Sequence, residues 1–167
     1  MEVTKKHGRR DRRSIGKVNE MIQSVQTQQE FDNLFKNLLS HERIIAMRSS
    51  DAVEKLTRKN HDWLESHKPV LLELLHSSVD KELQWHVAQL VTRVDLTDKE
   101  LYVVWDKLAY WMLNKNESKI VRANSLQALY DLSRDNPTLR HALTHLLESV
   151  RHEKIPSLDA RIRKLQL

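Results

Sequence analysis

One helical pattern recurs three times along this chain at a spacing of 38 residues. Ile45, Ser49, Ser50, Ala52, Val53 and Leu56 align with Leu83, Val87, Ala88, Leu90, Val91 and Val94, and again with Val121, Ser125, Leu126, Ala128, Leu129 and Leu132. Every column is apolar or small. A second set answers the first: Val70 with Leu108 and Leu146, Leu71 with Ala109 and Leu147, Leu74 with Met112 and Val150. A unit this short has an apolar stripe that it cannot cover alone, so successive units must stack to close a core.

The spacing predicts first helices over about 42–58, 80–94 and 118–134, each followed by a second over about 66–76, 98–114 and 138–152. The repeats then lie near 42–79, 80–117 and 118–155. Helix-start signals agree. Thr27 with Glu30, and Thr97 with Glu100, have capping-box spacing. Pro137 and Pro156 suit the first turn of a helix, and Pro69 starts one in the same way. Ahead of the repeats, Ser14 can cap a helix carrying Ile15, Val18, Met21, Ile22 and Val25, and Phe31, Leu34, Phe35, Leu38 and Leu39 supply its partner. No run of alternating β-branched residues occurs. The expected fold is all-α: an α-α superhelix of about three helix-pair repeats, with an N-terminal helical hairpin and a C-terminal capping helix over 156–167. It is expected to form a single domain over 14–167, preceded by a basic tail over 1–13.

With paired helices, a period near 40 and an Ala/Leu pattern in each first helix, the chain resembles HEAT-like (armadillo-type) α-solenoid proteins. The stretches 118–129 (Ser-Lys-Ile-Val-Arg-Ala-Asn-Ser-Leu-Gln-Ala-Leu) and 134–137 (Arg-Asp-Asn-Pro) carry the likeness most clearly, and it extends over about 40–167. The Pro usual in the first helix and the Asp-Val-Arg between helices are poorly matched. The resemblance implies a small right-handed superhelical scaffold whose concave surface is lined by second helices. It implies protein binding and says little about any activity.

Composition narrows the chemistry. Cysteine is absent, which excludes disulfides and thiol nucleophiles and suits a reducing compartment. The two glycines, Gly8 and Gly16, both precede residue 17, so phosphate-cradling loops, dinucleotide fingerprints and nucleophile elbows are missing. No 18-residue apolar stretch and no apolar leader are present, so no membrane span and a cytoplasmic location are expected. Of the net charge of +5, residues 1–13 carry +4. Lys5, Lys6, Arg9, Arg10, Arg12 and Arg13 form a cluster able to contact phosphates or another anionic surface, in a segment expected to be disordered or weakly helical. Elsewhere Arg and Lys (Arg43, Arg48, Arg58, Lys119, Arg122, Arg134) alternate with Glu and Asp, the pattern of a solvated face.

Column identity also sorts the aromatic and histidine residues. Trp63 aligns with Leu101 and Leu139, and Trp85 with Met47 and Ala123, which places both in the core. His86, among apolar columns, reads as a core histidine. Trp105 stands at an edge column, open to either burial or exposure. Trp111 aligns with Glu73 and Ser149, a column that is polar elsewhere, and so is a candidate exposed anchor. With Asp106, Tyr110 and Asn114 it makes the second helix of the middle repeat the candidate partner-binding surface. His141 and His145 share a helix face at i, i+4, but two ligands without a carboxylate or thiolate in the motif fall short of a metal centre. No metal, cofactor or catalytic residue is expected.

The reading is a non-enzymatic scaffold for a protein or peptide. The alternative is a nucleic-acid-binding protein, through the tail, or a HEAT-like DNA glycosylase acting on alkylated bases, with Trp105, Asp106 and Trp111 in its active face. Against the alternative, the body of the chain is nearly neutral and carries acidic residues on the same helices. A cofactor lyase or chaperone subunit, another role within such families, has no residue here that argues for it.

Overall fold

A computed structural model describes residues 15–167, and the basic tail and the Ser14 cap lie outside the described residues. Among the described residues every regular element is helical. The helices are α1 (residues 15–23), α2 (Gln28–Lys36), α3 (Arg43–Thr57), α4 (Lys68–Ser77), α5 (Lys81–Leu90), α6 (Asp98–Leu113), α7 (Lys119–Ser133), α8 (Pro137–Arg151) and α9 (Pro156–Leu165). Bounds expected from the 38-residue register fall within about two residues of these, except that the expected 80–94 helix ends as a tighter 3₁₀ turn over Val91–Arg93.

Local chemistry explains where the helices begin. Both capping boxes form: the Thr27 and Thr97 hydroxyls accept the backbone N–H of Glu30 and Glu100, whose carboxylates accept the cap residues' N–H in return. Asp80, Ser118 and Asn136 cap α5, α7 and α8 with side-chain oxygens. Pro137 and Pro156 open their helices, where a missing N–H costs nothing.

The chain groups into two compact units divided between Trp63 and Leu64. This division falls within the first expected repeat, 42–79. A 3₁₀ stretch, His61–His67, occupies the division. In the first unit α3 packs on α2 and on the 3₁₀ turn Asn37–Leu39. Its core is Val18, Val25, Phe31, Leu34, Phe35, Leu38, Ala52, Val53 and Leu56. Trp63 lies against Phe31 with ring centroids 5.4 Å apart, and its carbonyl accepts from Gln28 Nε2 at 3.1 Å. It is half-buried rather than enclosed.

The second unit has two layers. First helices pack in the order α5–α7–α9, second helices in the order α4–α6–α8, and α7 joins the layers through α6 and α8. The repeat columns converge as stacking requires: Val87, Ala88, Leu90 and Val91 on α5 and its 3₁₀ end, and Val121, Ser125, Leu126, Ala128 and Leu129 on α7, are all buried. Polar clamps set the register within the first layer. Gln89 Nε2 donates to Asn124 Oδ1 at 3.1 Å between α5 and α7, and one repeat later Arg161 donates to Gln127 Oε1 at 3.0 Å between α7 and α9. Trp85, placed in the core by its column, is half-buried, because α5 is covered mainly along Gln84, His86, Val87 and Ala88. On α9 only Leu158 and Ile162 are buried, and Ser157, Ala160, Arg163 and Lys164 are exposed.

Candidate protein-binding surface

Helix α6 has two clean faces. At about 100° per residue, Val104, Trp105, Leu108, Trp111 and Met112 fall on one side and are all buried. Tyr102, Val103, Asp106 and Tyr110 fall on the opposite side and are all exposed. The three apolar members of that side keep 54%, 42% and 59% of their surface accessible, for Tyr102, Val103 and Tyr110. That is more apolar exposure than any other helix of the second unit shows on one face.

This corrects the expected anchor. Trp111 is 1% exposed and Trp105 6%. The polar column that held Glu73 and Ser149 misled, because α6 has a layer neighbour on each side and α7 across the layers. Its buried arc is therefore wide enough to include Trp111. Ser149 sits at the same place on α8, whose buried stripe is the narrower Leu139, Leu143, Leu147 and Val150. The Lys107 ammonium lies 5.5 Å from the Trp111 ring and 5.8 Å from that of Tyr110, so a cation bridges the core tryptophan and the exposed tyrosine. Asn114 serves the turn after α6: its backbone N–H donates to the Tyr110 carbonyl, and its Oδ1 accepts from the Asn116 N–H at 3.1 Å. Of the five expected contact residues, Asp106 and Tyr110 face outward, and the arrangement adds Tyr102 and Val103. The signal for Tyr102 was available, since it precedes Asp106 and Tyr110 at i, i+4, i+8.

Lys5, Lys6, Arg9, Arg10, Arg12 and Arg13 lie outside the described residues. The active face imagined for a glycosylase does not assemble on α6 as cast: Trp105 and Trp111 belong to the core while the neighbouring Asp106 points to solvent.

Charged groups in the interior are held by partners. Arg122, expected on a solvated face, is 2% exposed. Its Nε donates to the Met112 carbonyl at 2.7 Å, and its two terminal nitrogens each donate to Glu153 at 2.9 Å. The guanidinium holds the Glu153 carboxyl below its ordinary range by hydrogen bonding and then by charge, against the opposing effect of burial. Glu54, buried on α3, accepts from Arg58 Nε at 3.0 Å and Nη2 at 2.7 Å. Among the described residues no group of three or more His, Asp or Glu side chains converges as a metal centre would require. A shallow groove of about 320 Å³ on the first unit is lined by Met21, Val25, Glu30, Asn33, Leu34 and Asn37.

The family model of the HEAT repeat domain matches residues 6–166. This chain belongs to that family. No curated protein and no solved structure matches it. HEAT repeats generally serve as protein-interaction scaffolds. No helix among the described residues is long and apolar enough to cross a membrane.

Proposed function

We propose that this HEAT-repeat chain is a non-enzymatic scaffold that holds a protein or peptide partner on the outward face of α6. The observation that carries the reading is the ridge of Tyr102, Val103, Asp106 and Tyr110, three apolar side chains and one acceptor repeating at helical spacing on a two-layered support. Tyrosine suits this role: it has a large apolar area, only two side-chain torsions to immobilise, and a hydroxyl for a partner's backbone. Family membership supports the general role, and the ridge supports the location. The reading of no enzymatic activity is supported by the two buried charges, Arg122 and Glu54, each of which is paired with an opposite charge, Glu153 and the exposed Arg58.

A peptide library displayed on phage and selected on the full chain tests this. Recovered peptides are expected to bind the intact protein and to lose at least tenfold in affinity against Tyr102→Ser/Tyr110→Ser. Both substitutions lie on the exposed side of α6 and leave its buried face whole. Peptides that bind wild type and double variant alike overturn the assignment of this surface.

A further inference from the structure

We propose that His141 and His145 on α8 form a binding site for a divalent transition-metal ion of borderline softness, such as Zn²⁺, Ni²⁺ or Cu²⁺. The sequence offered only the i, i+4 spacing. The structure adds geometry: the two Nε2 atoms face each other at 3.1 Å, and the rings meet edge to face with centroids 4.5 Å apart. Two imidazole nitrogens bound at about 2.0–2.1 Å to one ion, at angles from octahedral to tetrahedral, stand roughly 2.8–3.4 Å apart. The observed separation lies within that window, so an ion can enter with little movement of either ring. Both residues are exposed on the outward side of α8, opposite Leu139, Leu143 and Leu147.

Chelation through Nε2 requires each ring to carry its proton on Nδ1. The Glu148 carboxylate, with Oε2 3.8 Å from Nδ1 of His145, attracts an N–H at that position and so favours the competent tautomer there. The same carboxylate adds negative charge beside the incoming cation. The separation of the two Nε2 atoms also suits an N–H to N hydrogen bond in the metal-free pair. The donor ring must then exchange its Nε2 proton for one on Nδ1, through solvent, as the metal takes that proton's place. With no third protein ligand converging among the described residues, the remaining coordination positions fall to water or to a side chain of a bound partner. Imidazole pairs without thiolate suit Zn²⁺, Ni²⁺ and Cu²⁺ over Mg²⁺ or Ca²⁺, and Cu²⁺ binds most tightly of these. The proposal is independent of the α6 surface.

Calorimetric titration of the full chain with ZnCl₂, at about pH 7.5, tests it. One ion per chain is expected in the micromolar range. His141→Ala and His145→Ala should each weaken binding at least tenfold, whereas His152→Ala, at the exposed end of the same helix, should leave it unchanged. A variant that moves one histidine by a residue, Arg140→His with His141→Arg, keeps the composition and sets the two rings about 140° apart round the helix, and its affinity should fall as far. Zn²⁺ should also raise the melting temperature of the wild type and not of His145→Ala, because the ion staples adjacent turns of α8. Absence of binding up to millimolar Zn²⁺, or equal affinity in the wild type and the moved-histidine variant, overturns the site.

Discussion

Helices α7 and α8 have the same length, 15 residues each, and belong to the same repeat, yet they live in different surroundings. Helix α7 buries Val121 through Leu126 without a break, then Ala128, Leu129 and Ser133, so its buried positions cover most of the circumference and leave only the side of Ile120, Gln127 and Asp131 partly open. Helix α8 buries only Leu139, Leu143, Leu147 and Val150, a single stripe at i, i+4 and i+3 spacing. The difference follows from neighbours. Four helices pack on α7 (α5, α6, α8 and α9), whereas α8 meets α6, α7 and α9 from one side. A helix covered round most of its circumference must place even its polar residues among partners, and α7 does so with Arg122, Asn124 and Gln127. A one-sided helix keeps its polar residues for solvent, and α8 leaves its histidine pair accessible.

This contrast can be broken at several strengths. Leu126→Ala removes a fully buried side chain from α7 and is expected to cost about 3–4 kcal/mol in urea unfolding. A loss below about 1 kcal/mol would show that α7 is not enclosed as described. Arg122→Ala strands the Met112 carbonyl and the Glu153 carboxylate together, at about 3 kcal/mol. Arg122→Met should recover part of that loss, because an apolar chain of similar length fills the space. Recovery by Met sharpens the case that enclosure, and not charge, is what α7 requires.

Glu153→Gln isolates the charge. At neutral pH it is expected to cost about 1–2 kcal/mol, the value of hydrogen bonds to an ionised partner. The sign of its pH dependence follows from the depressed carboxyl. Glu153 binds its proton less readily folded than unfolded, so its contribution is complete above the unfolded carboxylate pKa near about 4.3 and is lost as pH falls toward the folded value. The wild-type advantage over Glu153→Gln should therefore stay level from neutral down to about pH 5 and shrink below it. An advantage that grows on acidification contradicts the pairing. Asn136→Ala removes the oxygen that accepts the Leu139 N–H at the start of α8 and should cost about 1 kcal/mol. Smallest of all, His145→Ala without metal should change stability by no more than about 0.5 kcal/mol, as befits the open side of α8.

The fold was legible because stacking imposes a strict demand on sequence. Ala52, Leu90 and Ala128 must be small or apolar in every copy, and all three are buried as their columns require. The N-terminal ends of the helices were legible for a local reason, since Thr27, Thr97, Pro137 and Pro156 act on the first turn alone. The site was less so. The sequence singled out α6, on which Asp106 and Tyr110 are exposed, but it placed Trp111 outside and passed over Tyr102. Column polarity reports the average environment of a position, whereas the burial of Trp111 depends on how many helices surround α6 in particular. Arg122 was misplaced for the same reason: its column holds Ala46 and Gln84, and only its own neighbours reveal a buried guanidinium with three acceptor oxygens.

The sequence by itself determined the all-α class, the paired-helix period, the helix starts and most of the core, because these depend on side-chain spacing and on hydrogen bonds that close within one turn. Tertiary structure alone decided which tryptophans are interior, which charge is buried, where the chain divides between Trp63 and Leu64, and that His141 and His145 face each other nitrogen to nitrogen. Those outcomes depend on the number and direction of packing neighbours and on side-chain torsions. A one-dimensional pattern of residues carries neither.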